Sequence, residues 1–203
     1  MKLSFDPTTH TYRVGGVIYP SVTEVLGPAE TFAGLFDGVP ADALETAKER
    51  GSYVHEALAL LARGSLEWDS LVEPWAQFVR TGARFLADSE IVVTGSEVPV
   101  YSERLRVAGT IDLVGEWRRG PALIDFKTSA VVPVTVGPQT AGYKFLYHDL
   151  YGNKGRMYRY CVHLSPTEYR VIPLEDSRDE TIFLSSLNLF HWGARHAGRA
   201  VAA

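Results

Sequence analysis

The segment from residue 107 to residue 129 constrains the fold more than any other stretch of the chain. Two apolar runs rich in β-forming residues flank a polar turn at residues 118–121, and this pattern predicts a β-hairpin. Each run contains one aspartate in otherwise hydrophobic sequence, Asp112 in the first run and Asp125 in the second. Because a lone carboxylate is costly to bury, we expect both side chains to have compensating partners.

Lys127 follows Asp125 by two residues, and strand side chains alternate with a period of two, so both should point to the same face. A pair of carboxylates and an ammonium can then converge. Such a group suits metal-assisted hydrolysis of a phosphodiester, because hard oxygen ligands hold Mg²⁺ while water and phosphate fill its other positions. Lys127 would orient the attacking water or help to deprotonate it. The alternative is a buried ion pair beside a partly exposed Asp112.

The hairpin also resembles a known family. The order Gly-Thr-Ile-Asp112, a turn, then Ile-Asp125-Phe126-Lys127-Thr resembles the core of the PD-(D/E)XK nuclease superfamily, and most closely its RecB-like exonuclease branch. The resemblance implies an α/β fold with a restriction-endonuclease-like mixed central β-sheet flanked by helices, as one domain over residues 1–203. It also implies Asp112 and Asp125 as metal carboxylates, Lys127 as a catalytic residue and the Phe126 carbonyl as a further ligand.

Three further features follow in the order that the resemblance requires. Gly51-x-x-x-His55 resembles the first motif of RecB-like nucleases, which makes His55 a metal ligand, although a lone helical histidine is more often a surface or core residue. Glu97, on the preceding strand, either approaches the site or is an exposed strand glutamate. Gln139 and Tyr143 share one helix face and resemble the accessory motif that shapes the catalytic site and its DNA contacts. Gly51 inside a helix also predicts the close approach of another element.

Hydrophobic periodicity predicts the remaining elements. Residues 11–19 form a hairpin around Gly15-Gly16, and Ser21 opens a short helix through a capping box. Residues 27–40 are expected to be an irregular connection. Helices are expected over about residues 41–61, 71–88, 138–151 and 176–197, and strands over about 91–101, 156–164 and 169–174.

Composition limits the classes of function. A chain of 203 residues fits one domain with a real core, and its single cysteine, Cys161, rules out a disulfide framework or a zinc cluster built by this chain alone. The formal net charge of -4 gives no support for nucleic-acid binding through bulk charge, so any DNA contact must be local. Candidates for a basic patch, with scattered surface charge as the alternative, are Arg104, Arg106, Arg118, Arg119, Lys144, Lys154, Arg156 and Arg159.

The sequence also bears on location and partners. No apolar run reaches the roughly 18 residues that a membrane span needs, and the first ten residues lack the regions of a signal peptide. We therefore expect a cytoplasmic protein without membrane contact, in a bacterial host cell if it is phage-encoded. Its expected partners are DNA, with ends favoured, and a phage recombination or replication protein.

The functional expectation is a Mg²⁺- or Mn²⁺-dependent DNA nuclease, an exonuclease by resemblance, acting in phage recombination, replication or DNA repair. A histidine ligand such as His55 would suit Mn²⁺ better than Mg²⁺. Two alternatives stay open at this point. One is a noncatalytic nucleic-acid-binding or scaffold protein that retains the nuclease fold, and the other is a site-specific endonuclease, for which the sequence offers no recognition module.

Overall fold

The computed structural model describes residues 2–6, 8–35, 37–152 and 155–197. The chain is α/β, with a three-stranded antiparallel sheet, a five-stranded mixed sheet and flanking helices. The small sheet consists of β1 (Leu3–Asp6), β2 (Thr11–Val14) and β3 (Val17–Tyr19). The large sheet has the order β4 (Val92–Ser102), β5 (Val107–Trp117), β6 (Gly120–Lys127), β7 (Tyr158–Leu164) and β8 (Tyr169–Pro173).

Six α-helices lie in the described residues. They are α1 (Val22–Val25), α2 (Gly27–Ala33), α3 (Ala41–Ala62), α4 (Ala76–Ser89), α5 (Val136–Tyr151) and α6 (Arg178–His196). Within this part of the chain, no helix has both the length and the apolar character required to cross a lipid bilayer.

The predicted hairpin is confirmed as the pair β5 and β6. The two strands are antiparallel, and Trp117 pairs with Gly120, so Arg118 and Arg119 alone form the turn. Arg118 adopts a left-handed φ of 49°, which a tight two-residue hairpin turn requires. Gly120 and Pro121, expected in the turn, instead begin β6.

The pair β6 and β7 is parallel, whereas the other neighbours in the large sheet are antiparallel. Parallel neighbours need a crossover connection, and α5 provides it. The chain leaves β6 at Lys127 and enters α5 at Val136, so the first turns of α5 lie close to the carboxyl end of β6. This connection brings Gln139 and Tyr143 within reach of Asp125.

The core lies on both faces of the large sheet. One cluster joins side chains of α3 and α4 to the sheet and includes Ile124 and Phe126 of β6. The other joins α1, α5 and α6 to the sheet and includes Leu123. Alternation along β6 therefore places Asp125 on the α5 side, in line with Leu123 and Lys127.

The small sheet is fixed to β5. The Ala108 amide donates to the Pro20 carbonyl at 3.0 Å, and Ser21 forms an isolated bridge with Ala108. Ser21 also begins α1 through the predicted capping box: its hydroxyl accepts from the Glu24 amide, and the Glu24 carboxylate accepts from the Ser21 amide. These bonds hold the small sheet beside the carboxylate-bearing part of β5.

Three expectations about elements need correction. Residues 27–33 form helix α2, not an irregular connection, because Pro28 suits a first helical turn and the left-handed Gly34 ends the helix. Strand β1 was not expected, and it makes the predicted hairpin a three-stranded sheet. The helix expected from about residue 71 begins only at Ala76, after Pro74.

Candidate functional site

The two aspartates lie where β5 and β6 stop pairing. The register between the strands ends at Leu113 opposite Ile124, and Asp112 and Asp125 are the next residues on each strand. Here the Phe126 amide donates to Asp112 Oδ2 at 2.7 Å, so a side chain takes the acceptor position of a backbone carbonyl. This opening in the ladder lets the Asp112 carboxylate enter the space between β5 and α3.

His55 of α3 completes the contacts of Asp112. Its Nδ1 lies 3.2 Å from Asp112 Oδ1, and its Nε2 lies 3.0 Å from the Phe126 carbonyl oxygen. Both ring nitrogens thus face acceptors, and only the imidazolium carries two N–H donors to satisfy them. Burial lowers the pKa of His55, but the Asp112 carboxylate outweighs burial and raises the pKa to about 9.

Glu97 of β4 lies against the same pair. One ligand atom each from His55, Glu97 and Asp112 lies within 4.8 Å of the others, so the three side chains could hold a metal ion. Burial, followed by repulsion from Asp112, raises the pKa of Glu97 to about 7. Glu97 also has a left-handed φ of 50°, a conformation that costs a non-glycine residue about 1 kcal/mol or more and that concentrates at functional sites.

Asp125 and Lys127 form the second half of the site. Lys127 Nζ lies 2.8 Å from Asp125 Oδ2, as the period of two predicts. Within the described part of the chain, this oxygen has no aligned hydrogen-bond donor, although it is buried, so its contact with Lys127 is ionic. Burial lowers the pKa of Lys127, but Asp125 and Asp112 outweigh it and raise the pKa, which favours the ammonium form.

Gln139 of α5 contacts the other carboxylate oxygen of Asp125, and Tyr143 of the same helix contacts Gln139. The Gln139 amide nitrogen donates to Asp125 Oδ1 at 3.0 Å and lies 3.3 Å from the Tyr143 hydroxyl. Gly109 of β5 makes room for the Tyr143 ring, because a Cβ at Gly109 would lie 2.6 Å from Tyr143 Cε1. The sequence predicted both α5 residues but not Gly109, since a glycine in a strand sequence does not indicate that an aromatic ring packs against it.

All these groups except Asp125, which is buried, border one cavity of about 700 Å³. His55, Glu97, Asp112, Lys127 and the α5 pair line it, together with the hydroxyls of Ser52, Thr128 and Ser129. Gly51 also lines the cavity, and apart from its chain neighbours and the backbone of its own helix, no described heavy atom lies within 4 Å of the position that its Cβ would take. The expected close approach of another element to Gly51 is therefore wrong, because this glycine widens the cavity instead.

The residues fit a divalent metal, as the resemblance implies. Two carboxylates and an imidazole are ligands that Mn²⁺ and Mg²⁺ accept in proteins, with the imidazole favouring Mn²⁺. Asp125 lies outside the group formed by His55, Glu97 and Asp112, and its carboxylate contacts Lys127 and Gln139. The cluster thus contains the expected His55 and Asp112 and the possible site residue Glu97, but not Asp125.

Of the expected basic residues, those that the structure describes do not line this cavity. Arg159 is buried and pairs with Asp179 at 2.9 Å, while Lys144 and Arg119 pair with glutamates. Lys154 lies outside the described residues. Two arginines that were not expected lie closer to the site. Arg63 lines the cavity, and Arg50 donates to the Thr128 carbonyl at 3.1 Å.

Comparisons with known proteins add no functional assignment. No protein-family model matches the chain, and no curated protein matches its sequence. One solved structure, described as "Crystal structure of SSO0001", aligns over 87% of this chain and 76% of that chain. Its sequence identity is 13% and its TM-score 0.43, values that carry no functional argument. Function is therefore inferred from the residues of the cavity.

Proposed function

We propose that this chain is a divalent-metal-dependent DNA nuclease of the PD-(D/E)XK type with a restriction-endonuclease-like fold. The observation that carries the proposal is the convergence of His55, Glu97 and Asp112 within ligand distance, beside the buried pair of Asp125 and Lys127. A purely structural ion pair would explain Asp125 with Lys127. It would not explain why Glu97, whose pKa is raised, and the His55 imidazolium border the same cavity as Lys127.

The metal ligands would be Asp112, Glu97 and His55, with Asp125 and the Phe126 carbonyl as the further ligands that the resemblance implies. When bound, Mn²⁺ or Mg²⁺ would activate water and neutralise charge on a phosphate. His55 must release a proton to become a ligand, because its ring now donates toward Asp112 and the Phe126 carbonyl. Glu97 must likewise be ionised, so metal binding displaces protons from both residues.

The remaining residues position and neutralise the substrate. Lys127 keeps its proton near neutral pH, so it acts as a fixed cation that orients the attacking water or a phosphate oxygen. Gln139 holds the Asp125 carboxylate at its place beside Lys127, and Tyr143 orients the Gln139 amide. The hydroxyls of Ser52 and Thr128 offer hydrogen bonds to backbone phosphates along the cavity wall.

The exonuclease assignment, and with it a setting in phage recombination, replication or DNA repair, rests on the resemblance to the RecB-like branch. Comparison of linear with covalently closed circular DNA tests it directly. An exonuclease degrades only the linear form, whereas an endonuclease also opens the circle.

The nuclease itself is tested with end-labelled linear single- and double-stranded DNA in EDTA, Mg²⁺ or Mn²⁺. We expect metal-dependent cleavage that Lys127→Ala abolishes and that Lys48→Ala retains, because the Lys48 side chain is 76% exposed on α3. The absence of cleavage in every condition would contradict the proposal and favour a nucleic-acid-binding or scaffold protein.

A further inference from the structure

Three aromatic side chains of the small sheet line the cavity beside the candidate site. They are Phe5, His10 and Tyr12, and we call them the aromatic shelf. The rings of Phe5 and Tyr12 stack with centroids 4.5 Å apart and an interplanar angle of 30°. His10 meets Phe5 edge-on at 5.2 Å. Tyr12 is buried, whereas Phe5 is 39% exposed and His10 is exposed, so the shelf presents aromatic surface to solvent.

The core of the small sheet does not account for this exposed surface. Leu3 and Val14 form the neighbouring cross-strand pair on the same face as Phe5 and Tyr12. That pair packs into the cluster with Ala108 of β5. Tyr12 belongs to this cluster as well, whereas Phe5 and His10 lie outside it and border the cavity.

The shelf is anchored close to the candidate site. The Tyr12 hydroxyl and Thr110 Oγ1 share a hydrogen bond of 2.9 Å. Thr110 precedes Asp112 by two residues on β5, and both line the cavity. Two strand residues span roughly 6.6 Å, about twice the 3.4 Å step between stacked bases. The hydroxyl end of Tyr12 is therefore anchored about two stacked-base steps along β5 from Asp112.

The turn that carries His10 is held before any ligand binds. Asp6 accepts a hydrogen bond from the Thr8 amide at 3.0 Å and another from the Thr9 hydroxyl at 2.8 Å. His10 has a left-handed φ of 50°, a conformation that is uncommon for residues other than glycine. A surface fixed in this way binds a ligand with less loss of conformational entropy.

We propose that the aromatic shelf binds an unpaired nucleobase of the strand whose phosphodiester lies in the candidate site. The inference rests on the proposed nuclease function and adds to it a base-binding position. Aromatic rings stack on bases without sequence preference, because every base has a π face. Within a duplex both faces of an internal base are covered, so only a single strand or an unwound end can offer a free face to Phe5. The shelf thus favours single-stranded DNA.

The test is binding of a fluorescently labelled thymidine oligonucleotide and a labelled duplex, measured by anisotropy with Mn²⁺ in a Lys127→Ala background that prevents cleavage. We expect Phe5→Ala and Phe5→Leu each to weaken single-strand binding about tenfold, while Phe5→Tyr retains it. Leucine keeps the apolar contact with Tyr12 but lacks a ring, whereas tyrosine keeps the ring. Comparison of Phe5→Leu with Phe5→Tyr therefore separates stacking on a base from packing against Tyr12. Phe32→Ala is the matched control, because Phe32 is 95% exposed on α2, outside the cavity lining.

The outcomes distinguish a failure of the base-binding proposal from a failure of the proposed nuclease function. Unchanged single-strand binding by Phe5→Leu, together with metal-dependent cleavage by the wild type, would contradict base binding by the aromatic shelf. The proposed nuclease function would stand. Equal losses for the duplex and the single strand would overturn the preference for an unpaired base. If the wild type cleaves no DNA and the Lys127→Ala protein binds none, the proposed function fails and the shelf fails with it.

Discussion

His55 Nδ1 lies 3.2 Å from Asp112 Oδ1, and this contact joins helix α3 to strand β5 across the cavity. The same ring reaches the Phe126 carbonyl of β6 through Nε2. One side chain therefore connects three elements at the point where the β5 and β6 ladder opens.

Removal of this ring should destabilise the fold. His55→Ala leaves Asp112 Oδ1 and the Phe126 carbonyl without the donors that the ring provides, and an unsatisfied buried acceptor costs about 1–3 kcal/mol. We expect the free energy of unfolding in EDTA to fall by that amount in urea denaturation. His196→Ala is the control, because His196 is exposed at the end of α6 and its loss should change stability by less than about 0.5 kcal/mol. Equal effects of the two substitutions would contradict the bridging role.

Metal affinity should rise with pH. The pKa of Glu97 is raised to about 7, so below that pH a metal ion must displace its proton. Titration of Mn²⁺ by calorimetry between about pH 5.5 and 8 should show tighter binding as Glu97 ionises. Glu97→Gln should weaken binding and reduce its pH dependence. A Mn²⁺ affinity that does not change over this range would argue against Glu97 as a ligand.

The same shift predicts a pH effect on stability in EDTA. Because the pKa of Glu97 is raised in the fold from 4.5 to about 7, the native state binds more protons than the unfolded state between these values. The contribution of Glu97 to stability is therefore present below about pH 4.5 and is lost as the pH rises through 7. Glu97→Gln should flatten this part of the profile in thermal melts, and an unchanged profile would show that Glu97 does not titrate there.

Two glycine substitutions should act in opposite directions. A Cβ at Gly109 would lie 2.6 Å from Tyr143 Cε1, so Gly109→Ala should displace that ring and lower the stability by about 1–3 kcal/mol. Gly51 has open space on α3, so Gly51→Ala should raise the stability by up to about 1 kcal/mol through helix propensity. Chemical denaturation of both variants measures the difference. Destabilisation by Gly51→Ala would show that the open space is not accessible to a methyl group.

Cys161 should be unreactive in the folded protein. It pairs with Asp125 across the β6 and β7 ladder, and burial, followed by the charge of Asp125, raises the pKa of its thiol to about 12. Because the thiolate is the nucleophile, alkylation at pH 8 should proceed only as the protein unfolds. Mass spectrometry of iodoacetamide-treated samples, with and without urea, measures this. Rapid alkylation without urea would show that β7 is not buried at this position.

The part of the site that the sequence predicted follows from local rules. Alternation along β6 placed Asp125 and Lys127 on one face, and the i to i+4 spacing placed Gln139 and Tyr143 together on α5. The hydrophobic context of Asp112 correctly implied a partner. In each case the signal lay within a single helix or strand, where periodicity determines which face of the element a side chain occupies.

The remaining parts depend on contacts between elements. The sequence left open whether Glu97 approaches the site or is exposed, because its left-handed backbone conformation in β4 is not visible in a strand sequence. Gly51 predicted a close neighbour but faces the cavity, because helix periodicity does not show what stands opposite a residue. Helix α2 lacks an apolar stripe that would mark it, since none of its residues is buried. Arg159 was read as a surface cation, and only the tertiary fold shows its buried pairing with Asp179.

The most direct test of the central claim is the rate at which labelled nucleotides are released from linear DNA in Mn²⁺ by the wild type and by Asp125→Asn. Asparagine keeps the size of the side chain but removes the charge beside Lys127. Thermal melts of both proteins first establish that the variant is folded. We predict metal-dependent release by the wild type and a loss of about 10²-fold or more in the variant. Release at the wild-type rate by folded Asp125→Asn would contradict a nuclease site built on this carboxylate.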